Sequence, residues 1–227
     1  MHLFRVVMML AFLATPAGER ANAQGFKFSQ PDAVDEAEKA EQQARDERIS
    51  HDLATPCRAQ IKDKKIMVVI GERQSNGFIY AQQQNYGPHF EAINRRLRAL
   101  GLRTYTPEEI RRQIAQAEID AYFRDDVEAA LSASKRLGAS FILRGLISSQ
   151  ASRNPMIPVN QVSVNMDFTL TGSNGRPISD AQATNASYAG ADVSRMALTL
   201  VNERADEVVA KLYSDYCRSA ASAARRP

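Results

Sequence analysis

From Val162 to Thr171 apolar and polar residues alternate at every step. Val162, Val164, Met166, Phe168 and Leu170 hold one parity, and Ser163, Asn165, Asp167, Thr169 and Thr171 hold the other. Successive side chains of a strand point to opposite faces of its sheet, so this pattern demands an antiparallel strand with one dry and one wet face. Ser173-Asn174-Gly175 follows as a hairpin turn, because Asn-Gly favours the positive φ that such turns need. Residues 178–188, rich in Ala and Ser, return as a weaker second strand. A hairpin of this kind folds only if something apolar covers one of its faces.

The rest of the chain supplies that cover. Residues 65–71, Lys-Ile-Met-Val-Val-Ile-Gly, form a continuous β-branched run that reads as a strand buried on both faces. Pro88 opens a helix with Phe90, Ile93, Leu97 and Leu100 at helical spacing, and Gly101 closes it. Residues 103–110 make a brief extended step into Thr106-Pro107-Glu108-Glu109, a capped helix start. Ile110, Ile114, Ala117 and Ala121 give that helix a buried stripe, and a further helix runs near 126–137. Residues 141–148 read as the next strand, residues 150–160 as a loop, and residues 192–216 as a long final helix lined by Ala197, Val201, Ala205, Val208 and Leu212. The first two strands are joined by helices and should run parallel with a right-handed crossover; the later ones should run antiparallel. The expected fold is α/β: a single mixed four-stranded sheet covered by helices, in the order β-α-α-β-β-β-α, preceded by an exposed helical arm.

The ends of the chain point to export. Arg5 precedes an apolar run over 6–15, and Ala21-Asn22-Ala23 offers the small residues that a signal peptidase reads. Residues 1–23 are therefore expected to be a cleaved signal peptide, too short in its apolar run to span a bilayer. No cysteine follows the cut, so a lipid anchor is not expected and the chain should be periplasmic. Residues 24–56 are strong helix formers with hardly any apolar stripe and read as a polar helical arm or linker. Residues 57–220 make the α/β domain, and residues 221–227 are expected to be a disordered tail. The net charge of +3 is small and no basic block stands out, which argues against nucleic acid. The two cysteines, Cys57 and Cys217, flank the domain. In an oxidising compartment they should form a disulfide.

The join between helix and strand, Ser-Lys-Arg-Leu-Gly-Ala-Ser-Phe-Ile-Leu-Arg-Gly-Leu-Ile-Ser-Ser over 134–149, carries a resemblance. Leu137-Gly138-Ala139, Phe141-Ile142-Leu143 and Gly145 are similar to a segment found in bacterial envelope proteins. These include the N-terminal domain of TolB, the secretion lipoprotein CsgG, the penicillin-binding-protein activator LpoB and the flagellar assembly protein FlgT. The strand over 65–71 and the hairpin after Val162 look like the corresponding parts of that fold, and the resemblance spans about residues 60–217. It implies a periplasmic envelope protein that binds partners in cell-wall synthesis, flagellar or secretion machinery. The lipoprotein members carry a lipid-bearing cysteine that this chain lacks. On physical grounds Gly138 should supply a left-handed helix stop. Gly145 should let a helix backbone approach the sheet. Arg144 should reach the sheet rim or a carboxylate.

Catalytic chemistry finds little support. His51 lies in the polar arm and His89 at a helix start, with no spaced Asp, Glu or Cys to complete a metal site. No nucleophile elbow, zinc-protease helix motif or phosphate loop is present. Asp125-Asp126 and Glu108-Glu109 are carboxylates at helix starts, where they favour the dipole. No catalytic residue, metal or cofactor is therefore expected. The segment 72–89 is the one stretch the core does not explain. It is long, rich in amides, and holds Arg73, Phe78, Tyr80 and Tyr86. Parallel strands place their following loops at one end of the sheet, so this loop and the one carrying Met156 should share a rim. Arg73, Phe78, Tyr80, Tyr86 and Met156 are the expected partner-binding residues; the alternative is that the aromatics cover a sheet edge. The expected function is non-catalytic binding of a protein partner in the envelope, with no membrane span. A peptidoglycan- or glycan-binding module and an unrecognised periplasmic enzyme are the rival readings, and the absence of Trp removes the indole platform many glycan sites use.

Overall fold

A computed structural model of the chain describes residues 33–73, 79–80, 87–124, 126–153, 156, 159–189 and 192–224; the expected signal peptide lies outside them. The chain divides into two units after Lys39. Of the first, residues 33–39 are described, the opening of a polar helix, α1 (Ala33–Leu53). The second unit holds the remainder of α1, and then α2 (Arg58–Ile61), β1 (Lys65–Arg73), β2 (Ile79–Tyr80), α3 (Pro88–Ala99) and β3 (Arg103–Thr104). After these come α4 (Pro107–Gln113), α5 (Gln116–Phe123), α6 (Val127–Leu137), β4 (Phe141–Arg153), β5 (Asn160–Gly172), β6 (Pro177–Ala189) and α7 (Val193–Ala224).

The fold is mixed α/β around a single sheet of order β2-β1-β4-β5-β6. The expected four strands are its long ones. Two more strands, each of two residues, were not expected: β2 pairs antiparallel with the end of β1, and β3 pairs parallel with its start. The crossover from β1 to β4 holds four helices, where the expected order gave two. Its path explains their placement. The chain moves outward from β1 to β3 through α3, then back past β1 to β4 through α4, α5 and α6. A connection of one hand that reverses direction must change faces. Accordingly Ile66, Val68, Leu143 and Ile147 pack with α3 and α7 on one face, while Met67, Val69 and Ile142 pack with α4, α5 and α6 on the other. The two faces of β1 are thus both dry, as its apolar run requires.

β4 is longer than its apolar run and continues to Arg153, paired residue by residue with β5 from Phe141↔Gly172 to Arg153↔Asn160. In β5 the residues Val162, Val164, Met166 and Phe168 are buried, and Asn165 and Asp167 between them are exposed. That is the two-faced strand the alternation demands. Gly175 takes the positive φ of the hairpin turn at 79°. Its N–H donates to the Gly172 carbonyl at 2.9 Å, and Asn174 Oδ1 accepts from the Arg176 N–H at 3.1 Å.

Gly138 stops α6 in the left-handed region at φ 65°. The Ala139 N–H closes the stop on the Ser134 carbonyl at 3.0 Å, and the Ser140 N–H donates to the Lys65 carbonyl at 2.8 Å. The turn is therefore tied to the start of β1 before β4 begins. Gly145 has a different reason from the expected one. The atoms nearest a Cβ at this position would all be those of the Phe168 ring, its cross-strand partner on β5. The glycine makes room for an aromatic ring. Arg144, on the opposite face, lays its guanidinium 5.5 Å from the ring centres of Tyr122 and Phe123 at the end of α5.

α7 holds the second unit together. Arg96 of α3 grips Asp206 through Nε at 2.7 Å and Nη2 at 2.8 Å. Arg45 of α1, itself buried, donates to Glu41 at 2.9 Å and lies 3.8 Å from Glu207 of α7. The polar arm helix thus reaches α7 through charge rather than an apolar stripe. α7 continues past residue 216, so residues 221–224 of the expected tail are helical.

Cys57 and Cys217 form the expected disulfide, their Cα atoms 5.4 Å apart across a separation of 160 residues. They sit in a small cluster with Ile61 and Tyr213, and Tyr213 donates its hydroxyl to the Thr55 carbonyl at 2.6 Å. On the chain-entropy model a loop of this size contributes about 5 kcal/mol by restricting the unfolded chain. Thiol titration of the denatured, unreduced protein should find no free thiol. Replacing both cysteines by serine should lower unfolding free energy by roughly 3–5 kcal/mol in denaturant melts. Two free thiols would refute the link.

Candidate functional site

The register of the sheet decides which residues meet. Arg73 at the end of β1 stands opposite Ser148 of β4, and β4 then runs on to Arg153. β5 begins opposite that end, and β6 finishes at Ala189 opposite Asn160. α3 begins soon after β1, and α7 soon after β6. One end of the sheet therefore gathers the close of three strands and the N-termini of two helices. The carboxyl end of parallel strands is where α/β sheets most often bind ligands.

A cleft of about 500 Å³ opens there, lined by Glu72, Arg73, His89, Ile147, Ser149, Gln150, Ala151 and Val193. Within it His89 Nδ1 lies 3.1 Å from Glu72 Oε1. The hydrogen bond from His89 holds the Glu72 carboxyl below its ordinary range, against the opposing effect of burial. An ionised carboxylate only accepts, so Nδ1 is the donor in this pair. That fixes the ring orientation and leaves Nε2 as the imidazole's other polar atom. Such a pair can hold a proton or present a polar contact to a bound group. Among the described residues no group of His, Cys, Asp and Glu is arranged to hold a metal.

Neither residue was expected at a site. In the sequence His89 stands isolated, since Glu72 lies 17 residues earlier. The usable signal was topological: Glu72 ends a strand and His89 begins the next helix, and those two ends meet at one rim in any β-loop-α unit.

The expected partner-binding residues fall as follows. Arg73 is exposed at the rim of the cleft. Met156 lies in the connection between β4 and β5 at the same end of the sheet and is 92% exposed. Tyr80 belongs to β2, whose backbone pairs with Glu72 and Arg73, so this part of the loop runs along the edge of β1. Phe78 and Tyr86 lie outside the described residues. Tyr188, which the sequence did not single out, is 57% exposed near the end of β6. A second hollow, of about 30 Å³, is bounded by Ile61, Leu97, Leu143, Val209 and other apolar side chains; it is a small gap in the core. No helix among the described residues is long and apolar enough to cross a membrane.

No protein-family model and no curated protein sequence matches the chain. Solved structures show weak similarity. The PelC dodecamer from Paraburkholderia phytofirmans is 16% identical, over 65% of this chain and 88% of that one, with a TM-score of 0.38. The C-terminal domain of LpoB from Salmonella enterica is 15% identical, over 58% and 93%, with a TM-score of 0.37. The lipoprotein GNA1162 from Neisseria meningitidis is 14% identical, over 63% and 99%, with a TM-score of 0.37. At these scores none of the three bears on what this chain does.

The Glu72–His89 pair makes a pH prediction. A carboxyl held below its unfolded value stabilises the fold above that value and loses the contribution as pH falls through the folded one. In NMR titrations of the His89→Ala variant, the Glu72 carboxyl should titrate at higher pH than in the wild type. An unchanged Glu72 titration would show that His89 does not hold it down.

Proposed function

We propose that this chain is an exported envelope protein that acts by binding a protein partner in envelope assembly or regulation, without turnover. The partner docks at the end of the sheet where β1 and β4 finish. Arg73, Phe78, Tyr80, Tyr86 and Met156 form the contact surface, and the cleft beside Glu72 and His89 takes a side chain of the partner. Export is by the N-terminal segment, cleaved after Ala23, with no lipid anchor.

The observation that supports this most is where the exposed apolar surface lies. Met156, a large apolar side chain 92% exposed, stands at this end of the sheet. Large apolar side chains in water beside a polar, charge-lined cleft suit a docking surface with an apolar anchor and a polar rim. The resemblance of residues 134–149 to envelope proteins supports the compartment and the kind of partner.

Photocrosslinking in living cells from positions 80 and 156 tests the proposal. One discrete protein adduct should form from both positions. Arg73→Glu combined with Met156→Asp should lower the yield from position 80 about tenfold, the effect of losing near 1.4 kcal/mol of binding. No adduct from either position would overturn the reading.

A further inference from the structure

The two edges of the sheet are finished differently. On the β1 side the short strands β2 and β3 pair with both ends of the strand. On the other side β6 runs for 13 residues with nothing beyond it in the sheet. Among the described residues, no backbone hydrogen bond reaches β6 from outside the sheet. The Ala186 N–H is met by the side chain next to it, Asn185 Oδ1, at 3.1 Å. That contact marks an N–H on the outer edge, and by the alternation of a strand the polar groups of Thr184 and Gln182 face outward too.

Proteins blunt such edges with lysines, prolines, bulges or inward charges. β6 has Pro177 at its first position and a register shift beside it, and then Asp180 as the one charged residue through Ala189. The stretch from Ala181 to Ala189 carries no device that keeps another strand away.

We propose that this edge pairs antiparallel with β6 of a second copy of the chain, the two-fold axis passing through Thr184. The register follows from the side chains. Centring on Thr184 sets Thr184 against Thr184, Gln182 against Ala186, and Asp180 against Tyr188, so no like charges oppose each other. Cross-strand threonine pairs are favourable, and the Thr184 N–H and C=O groups exchange bonds across the axis. The pairing also covers the exposed ring of Tyr188 beside Asp180 of the other copy. A two-fold contact of this kind closes on itself and does not propagate. It continues one sheet across both copies, with the helices of each kept to its own faces.

Thr184 is exposed, so a change there tests the contact without touching the core. Sedimentation velocity should show a reversible dimer for the full chain. Thr184→Lys and Thr184→Glu should each weaken dimerisation at least tenfold by placing like charges across the axis, with far-UV dichroism unchanged. An equimolar mixture of the two variants should regain the dimer. The proposal is overturned if the wild type is monomeric at every concentration, if its dimer is indifferent to either substitution, or if the mixture stays monomeric.

Discussion

The ring of Phe168 fills the space that a side chain at position 145 would need. A Cβ there would sit within 3 Å of three ring atoms, closer than packed atoms approach. Phe168 is almost fully buried and sits on β5 directly opposite Gly145 of β4. This is the seam where the parallel half of the sheet, β1 and β4, meets the antiparallel half, β5 and β6. The face it occupies is the one covered by α3 and α7. A slip of one residue between β4 and β5 would turn Phe168 to the wet face and bring Asp167 or Thr169 into the core. The glycine and the ring together fix the register of β4 on β5, and through it the meeting of Arg153 with Asn160 at the far end.

What could be read from the chain beforehand follows from how local each signal is. The alternation in β5, the two-sided apolar run of β1, the Gly175 turn and the Gly138 stop are each written in a few neighbouring residues. The cysteine pairing was legible because there were only two to pair. β2 and β3 were not legible as strands, since a two-residue strand has no period and exists only through its partner β1. The tail of β4, Ser149 to Arg153, reads as a loop because it is polar; its pairing with β5 holds it extended. The role of Gly145 depends on a residue in the next strand, so a local reading assigned the close approach to a helix. Glu72 and His89 are unremarkable apart and become a pair only when the strand and helix ends meet.

The same geometry separates what is committed to packing from what is free for contact. Both faces of β1 are buried, and one face of β5 is spent on α7. Where β4 passes Ser148, only the first residues of α3 and α7 stand beside it, and there the chain exposes amides, charges and Met156. Stability comes from the middle of the sheet, and surface for recognition comes from its end and its open edge. That division lets an α/β scaffold change partners through loop composition without disturbing its core.

A double-mutant cycle on Gly145→Ala and Phe168→Leu tests the seam most directly. Gly145→Ala alone should cost about 1–3 kcal/mol through overpacking, and Phe168→Leu alone a comparable amount through lost ring contacts. Because the leucine removes the ring edge that the new methyl meets, the double variant should be more stable than the sum of the two losses, with a coupling of at least about 1 kcal/mol. Simple additivity would contradict the claim that these two residues share one space and set the register of the sheet.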